Sequence, residues 1–591
     1  IISQFDKFFE NEKLILSFAA IAGREFKFEV IEYISKKMRL KINLFSAMKK
    51  FCDNNFLHFI GNNKEKNTYL FNHDLLRDAI ISSISFKIKT KIHNYIGEWI
   101  ENHDTEKQNE IIAFHFKNAG NIKKAVHYLN ISAKQASEKY ANNQAIDYYS
   151  QLIELYSKNY RNFSKEIKIQ LIEIYQARGL AWRLIGKYDK AIEDFSMMLI
   201  LAKKIKNIKK IISANNHIGS VYRWKGNQRK ALKYCKESLK KAMEINDDRL
   251  IASCSNSISV VYWYLGKYYK AIETGKKSIE LRRKMGDISM VSRGLFSIGN
   301  CYTKICNYSE AEKCFNELLS IAQKINDKIG LAYSYDGLGY CCKELAEYCC
   351  ALDYHQKAYN LRIETGDARG LGYSYISFGD IRRILGDFHG AAEYYNKAYI
   401  TIKSIQDENL MSDVLRCMAL SELDYLNINK SEELITQSIE LSERLQFTES
   451  TIKSGIVFAE ILFRKNDLNK ALNIIKKSLK ESIRCGMTDN FINALIIKTS
   501  VMISLNCSKK EITNNINIAF KTAKTTGFPL LKLKVLRLII DNINLLPLSL
   551  STSDESTHNY FIEYNKLLSD INKKINNDAD KTNFIQKYKL V

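Results

Sequence analysis

The chain has 591 residues, more than one compact core holds at the usual ~100 to 200 residues per domain, so several domains or a repeat array is expected. Apolar residues make up 46% and charged residues 26%, which excludes a disordered chain, and no apolar run reaches the roughly 20 residues that span a bilayer. Lys+Arg at 89 against Asp+Glu at 65 give a net +24, a field that attracts anionic partners, yet the basic residues are spread over helix faces rather than gathered in one block, which points away from nucleic acid.

The first 160 residues alternate helical and β-prone stretches. Helices are predicted over 12–22, 28–36, 42–54, 75–84 and 89–102. Between the third and fourth, Phe56 to Ile60 and Thr68 to Phe71 flank a polar run from Gly61 to Asn67, which reads as a β-hairpin. Helices followed by such a hairpin predict a winged-helix-like domain over 1–102, and divergent helical hairpins are expected over 103–162. The residues Ala19-Ala20-Ile21-Ala22-Gly23-Arg24, Phe71-Asn72-His73-Asp74-Leu75-Leu76, His93 and Ala113-Phe114-His115-Phe116 resemble the region that follows the nucleotide-binding core in bacterial signal-transduction ATPases with numerous domains (STAND). That resemblance covers about Ile1 to Tyr156 and implies an adaptor that packs on an ATPase and introduces helical repeats. Ile1 in place of Met suggests a piece of a longer product. No Gly-x-x-x-x-Gly-Lys-[Ser/Thr] loop occurs: Gly186-Lys187 and Gly266-Lys267 are followed by tyrosine.

From 163 onward the sequence repeats every forty residues. Ala191, Ala231, Ala271, Ala311, Ala351, Ala391, Ser431, Ala471 and Glu511 form one ladder, small at eight of its nine rungs. Twelve residues earlier runs a second: Gly179, Gly219, Ser259, Gly299, Gly339, Gly379, Ala419, Ala459 and Thr499. Small side chains at matched heights let two helices of a hairpin approach closely. Large rings at Trp182, Tyr222, Tyr262 and Tyr302 stand beside the small sites, and Phe195/Met198 and Phe315/Leu318, four and seven residues after the alanine ladder, give one buried helical stripe. Gly186, Gly226, Gly266 and Gly386 predict left-handed caps inside hairpins. Between hairpins, Asn246-Asp247, Gly286-Asp287, Asn326-Asp327, Gly366-Asp367 and Gln406-Asp407 place an aspartate to cap the next helix. Only Pro529 and Pro547 interrupt this all-α pattern.

These residues resemble the tetratricopeptide repeat in its forty-residue form, which implies an all-α, right-handed superhelical solenoid of about nine repeats over 163–541. The sequence departs from the family in lacking the proline that ends the second helix, and its last three repeats are degenerate. A linker and one helix over 559–574 followed by a polar tail are expected for 542–591.

No catalytic, cofactor or metal site is predicted. The thirteen cysteines are an odd number on apolar helix faces, which suggests reduced thiols and a cytoplasmic protein. Cys341-Cys342 and Cys349-Cys350 straddle one hairpin turn, where four thiolates could hold zinc, but their register makes them packing residues. His73 and His93 have no nucleophile or paired carboxylate beside them.

The expected function lies in the concave groove lined by the first helix of each hairpin. Stepping by forty gives Asn216, Asn256, Phe296 and Asp336; then Arg183, Arg223, Trp263, Thr303, Lys343 and Arg383; then Asn300, Tyr340 and Asp380. Asparagine amides serve an extended backbone and arginine forks pair with carboxylates, so the partner is expected to be a protein or peptide segment with acidic residues, or the protein's own upstream ATPase or output domain. The reading is therefore a non-catalytic interaction and regulatory scaffold of bacterial signal transduction. The alternative is the sensor or effector half of a STAND-type transcription regulator whose NTPase core lies outside this chain.

Overall fold

The computed structural model describes residues 5, 8–60, 67–103, 108–139, 141–159, 163–542 and 554–590. The hairpin loop at 61–66 and most of the expected linker, Pro547 included, lie outside them. The chain divides into two compact units, Ile1–Asn207 and Ile208–Val591.

The first unit opens with α1 (Glu10–Ala22), β1 (Glu25–Lys27), α2 (Phe28–Lys37), α3 (Leu44–Asp53), β2 (Leu57–Phe59), β3 (Thr68–Phe71), α4 (Asp74–Ser83) and α5 (Phe86–His103). The two predicted strands pair antiparallel as β2 and β3, and β1 adds a third on the other side, giving the order β1-β3-β2. Strand β1 escaped the sequence reading because three residues are too few to show a period of two. Alternation on β3 buries Tyr69 and Phe71 against the helices. Phe18, Ile31, Phe51 and Phe71 are fully buried there, and Phe8 meets Phe51 and Phe56 edge-on at 5.2 Å. Five further helices follow: α6 (Asn109–Asn118), α7 (Ile122–Glu138), α8 (Asn142–Asn159), α9 (Lys165–Leu184) and α10 (Tyr188–Lys204).

The second unit is a solenoid of hairpins. Its helices run Ile208–Trp224 with Gln228–Glu244, Asp248–Tyr264 with Tyr268–Lys284, Ile288–Lys304 with Tyr308–Lys324, Lys328–Glu344 with Tyr348–Thr365, Ala368–Leu385 with Phe388–Ile405, Glu408–Asp424 with Ile428–Arg444, Thr448–Arg464 with Leu468–Cys485, and Thr488–Ser504 with Lys509–Thr526.

Small-against-large packing explains why the ladders define hairpins. A Cβ at Gly179, Gly299, Gly339 or Gly379 would press to within 2.5–2.9 Å of the ring of Phe195, Phe315, His355 or Tyr395, sixteen residues on in the partner helix. At Ser259 the arrangement inverts, and the partner at that offset is Gly275. The ladder fails only at its last rung, where Glu511 turns to solvent. Between hairpins, Asn246, Asn326 and Gln406 adopt φ of 49°, 54° and 54°, and the aspartates that follow accept from backbone N–H groups at 3.1 Å, Asp247 from Leu250, Asp327 from Ile329 and Asp407 from Leu410.

The superhelix also closes on itself. Gln228 Nε2 donates to the Leu445 carbonyl 217 residues away at 3.4 Å, and Tyr268 reaches Met487 across 219. One superhelical turn therefore takes roughly five and a half forty-residue repeats. A Cβ at Gly226 would lie 2.7 Å from Leu445 Cα, and one at Gly266 would lie 2.5 Å from Cys485 Sγ. These two glycines supply a left-handed cap and also make room for the next turn. The winding merges residues such as Tyr268, Cys301 and Phe315 with Ile475, Ile492 and Phe528 in one apolar core.

The end of the chain differs from the single helix and polar tail expected. After Pro529–Asp541 come two helices, Asp554–Lys573 and Asp578–Tyr588. Asn577 caps the second by accepting from Ala579 and Asp580, and Phe584 and Tyr588, four apart, bury one face of it; Tyr348 meets the Phe584 ring at 6.4 Å. That i, i+4 apolar pair and the asparagine were the overlooked signal.

Candidate functional site

Winding turns the concave face of the second unit into a lumen. Its central cavity measures about 440 Å³ and is lined chiefly by the first helices of six successive hairpins, from Arg223 to Arg416, with Phe447, Glu449 and Lys453 from a seventh. Seven basic side chains line it (Arg223, Lys304, Lys343, Arg362, Arg369, Arg416 and Lys453) against four acidic ones (Asp336, Asp380, Asp413 and Glu449). Aromatic rings fill the spaces between them: Phe296 stacks on Tyr333 at 4.4 Å, and Trp263 lies 5.2 Å from Phe447.

Nine of the thirteen residues picked out by the forty-residue stride meet here: Arg223, Trp263, Phe296, Asn300, Thr303, Asp336, Tyr340, Lys343 and Asp380. Four do not line this cavity. Arg183 belongs to the last turn of α9 in the first unit. Asn216 donates to Ser253 Oγ at 3.3 Å, Asn256 is half-buried beside the row, and Arg383 forks onto Asp424 at 2.5 and 3.0 Å. Extending the rows would have found more of the lining: the asparagine row continues to Ile376 and Arg416, and Tyr333 continues to Tyr373, Asp413 and Lys453. Phe447 and Glu449 join the earlier repeats through the superhelical turn, a contact that no forty-residue ladder contains.

Most of these charges are matched inside the chain. Asp336 accepts from His355 Nδ1 at 3.1 Å and pairs with Arg362 at 3.2 Å; burial alone would raise its pKa, but Arg362 and His355 outweigh that and hold it well below the usual carboxylate range. Glu449 joins Lys304 and Lys453, both at 2.7 Å. Burial acts upward on it too, and the two ammonium groups bring it down to about 2. Lys343 lies between Glu344 at 3.1 Å and Asp380 at 3.8 Å. These pairs couple distant repeats, since Lys304 and Glu449 are 145 positions apart.

The other sites weighed from the sequence resolve into packing. Cys342 and Cys350 approach to 3.6 Å between sulfurs, Cys341 is buried in the core, and Cys349 Sγ accepts from the Asn576 N–H at 3.3 Å. Among the described residues no three His, Cys, Asp or Glu side chains gather closely enough to share an ion. His73 precedes α4 as its N-cap residue, while His93 and His115 face each other at 3.0 Å between Nδ1 atoms. No helix among the described residues is long and apolar enough to cross a membrane.

The model of the tetratricopeptide repeat family matches residues 210–284 and 291–364, the hairpins that build the near side of the lumen. The chain carries tetratricopeptide repeats. A search of curated proteins finds no significant match. Among solved structures, a STAND protein with a tetratricopeptide repeat sensor from Pyrococcus horikoshii is similar at 18% identity and a TM-score of 0.37, over 81% of this chain and 64% of that one. The chain thus spans less than two thirds of that protein's length. A Rap protein complexed with competence and sporulation factor matches at 16% identity and a TM-score of 0.46, over 61% of this chain and 98% of that one. Aspartyl phosphate phosphatase F from Bacillus subtilis matches at 16% and 0.39, over 60% and 94%.

Proposed function

We propose that the chain is a non-catalytic interaction scaffold of a signal-transduction protein, and that the lumen of its second unit captures a short acidic segment of a protein partner. One observation carries this reading: the interior formed by the first helices of the repeats is basic in excess, aromatic and recessed, with a volume in the range of ligand sites rather than of docked domains. A solenoid held together only by its hairpin ladders has no need of charges in its lumen, where desolvation makes them costly.

The first unit supports a regulatory placement. Its helix–strand–helix–helix–strand–strand order and three-stranded antiparallel sheet favour a winged-helix-like adaptor over 1–102, in keeping with the STAND-like residues quoted above. In this reading the repeats sense a segment and the adaptor passes the change to an ATPase or output domain, and coupling requires that the segment bind two states of the array unequally.

The test uses the full chain and end-blocked, fluorescently labelled eight-residue peptides, one set rich in glutamate and one neutral. Acidic peptides should bind, weaken with added salt, and be lost in Asn300→Trp, which fills the lumen, and in the charge reversal Arg223→Glu, with circular dichroism unchanged. Equal binding of both sets, or acidic binding undisturbed by Asn300→Trp, would remove the lumen from the account.

A further inference from the structure

Six of the seven basic side chains in the lumen have a carboxylate within 4 Å. Lys304 and Lys453 share Glu449, Lys343 has Asp380, Arg362 has Asp336, Arg369 has Asp407 at 2.7 Å and Arg416 has Asp413 at 3.6 Å. Among the described residues Arg223 alone has none. Its guanidinium lies 4.5 Å from the centre of the Trp224 ring and 5.4 Å from that of Tyr264. The same Trp224 ring also carries the Arg369 guanidinium at 5.2 Å, a second cation brought beside the first across 146 residues of chain. Burial pushes the Arg223 guanidinium below its ordinary range; Tyr264 works against that shift and Arg369 adds to it. Among the described residues Arg223 hydrogen-bonds the Tyr264 side chain but has no counter-ion, and one donor in the same wall is unmatched: Trp263 Nε1 is buried and has no acceptor, although its ring is packed by Tyr264 at 4.9 Å and Phe447 at 5.2 Å.

Charge counting narrows the ligand. Arg223, Arg369 and Asp407 together carry one surplus positive charge. A monoanion neutralises that surplus, whereas a phosphate dianion would leave the site with a buried negative charge, the costlier outcome. A planar carboxylate also matches the guanidinium fork. Beyond Arg223 the wall turns aromatic, with Trp263, Tyr264 and Phe447 presenting apolar faces. We infer that Arg223 and Trp263 form a dedicated seat for one carboxylate of a small amphipathic ligand, its apolar part lying against the aromatic wall. This rests on the reading of the lumen as a capture site and adds to it a single anchoring point. The feature was not visible in the repeat ladders, because Arg369 and Phe447 reach Arg223 and Trp263 only through the winding of the array.

The experiment titrates the full chain carrying Trp99→Phe and Trp182→Phe, so that Trp224 and Trp263 alone report, with four probes: an acetylated tripeptide ending in phenylalanine with a free C-terminus, its C-terminal amide, N-acetylphenylalanine and inorganic phosphate. The free acid should perturb the tryptophan emission and bind at least ~10-fold more tightly than the amide, about 1.4 kcal/mol. Arg223→Gln should bring the acid down to the amide's affinity and leave the amide unchanged. If the tripeptide outbinds N-acetylphenylalanine, the carboxylate is a peptide terminus; the reverse order makes it a free small acid, and both orders support the seat. Acid and amide binding alike, phosphate binding more tightly than either acid, no acid binding at millimolar concentration, or an acid titration indifferent to Arg223→Gln would overturn it. Each of those results leaves capture of end-blocked acidic peptides standing, so the two readings fail separately. Without any probe, Arg223→Gln and Arg223→Met should melt no lower than the parent, because they remove a buried charge that the fold leaves unmatched; a lower midpoint for both would make Arg223 a structural residue and end the proposal.

Discussion

The two units bury their polar groups in different proportions. In the first, one enclosed fork of Arg178 on Asp194, at 2.6 and 2.9 Å, is accompanied by an enclosed neutral pair, His93 and His115, 3.0 Å apart, kept neutral because burial, with Lys89 beside the one and His93 beside the other, lowers their pKa values to about 4 and about 3. In the second, the enclosed groups are ions, with Glu449 held between two lysines deep in the lumen. A neutral pair is what a stable core tolerates. Charges held in place at a desolvation cost mark a surface kept for something else. The hairpin turns differ in the same sense. Gly186 of the first unit has open space around it, whereas Gly226 of the second fits against the backbone of Leu445 one superhelical turn away. Solenoid repeats ordinarily depend on their nearest neighbours alone. Here the winding adds a second set of contacts.

The largest effect should come from breaking the ionic side of that contrast. Glu449→Gln leaves two lysines in the lumen facing a neutral amide, and removal of one partner of a buried pair typically costs about 3–5 kcal/mol. Denaturant unfolding followed by hydrogen exchange should show the loss in the second unit and none in the first. A loss under about 1 kcal/mol would mean that water reaches the triad and that the lumen is not enclosed.

Acid sharpens the comparison next. The histidines titrate lower when folded than the ordinary 6.5, so the unfolded chain binds more protons, and stability present above pH 6.5 is lost as the pH falls toward 4. Glu449 behaves differently: its folded value of about 2 lies below the usual 4.5, so its contribution is complete above pH 4.5 and fades only toward pH 2. At pH 5 the first unit should have weakened by about 4 kcal/mol, roughly 2 for each histidine at ~1.4 kcal/mol per pKa unit, while the lumen triad is intact. Hydrogen exchange at pH 5 and pH 7 measures this, and His93→Gln/His115→Gln should flatten the slope. An unchanged slope in that variant would assign the acid sensitivity elsewhere.

How much of this was legible in the sequence depends on whether a contact lies within one repeat. The Gly179–Phe195 and Gly379–Tyr395 pairs repeat in step with the chain, so their ladders gave the hairpins, the turns and most of the caps. Nine lumen residues followed from the same stride because each hairpin aims its first helix inward. Contacts across the superhelical turn had no such trace, since the approach of Phe447 to Trp263 accumulates from small rotations over more than four repeats. Arg383 shows the converse limit: its row was right, but Asp424, 41 residues on, already occupies its fork.

Glycine substitutions separate local strain from the turn-to-turn joint. Gly186→Ala should cost about 1–2 kcal/mol, the left-handed backbone at φ 74° being its only difficulty. Gly226→Ala carries the same strain at φ 81° and adds a methyl 2.8 Å from the Arg444 carbonyl oxygen, so it should cost more and raise exchange of amides near Leu445. Equal costs would show that the turns of the superhelix are not in contact.

The smallest effect tests the caps that both readings take for granted. Asp327 accepts from the Ile329 N–H at 3.1 Å, whereas Asp287, at the equivalent place one repeat earlier, makes no side-chain cap bond. Asp327→Ala should therefore cost about 1 kcal/mol and Asp287→Ala a few tenths, although the sequence treats the two positions alike. A thermal melt of each variant decides it. If both cost the same, the aspartates act through the field at the helix N-terminus rather than through a hydrogen bond, and that field would serve at every junction of the array regardless of rotamer.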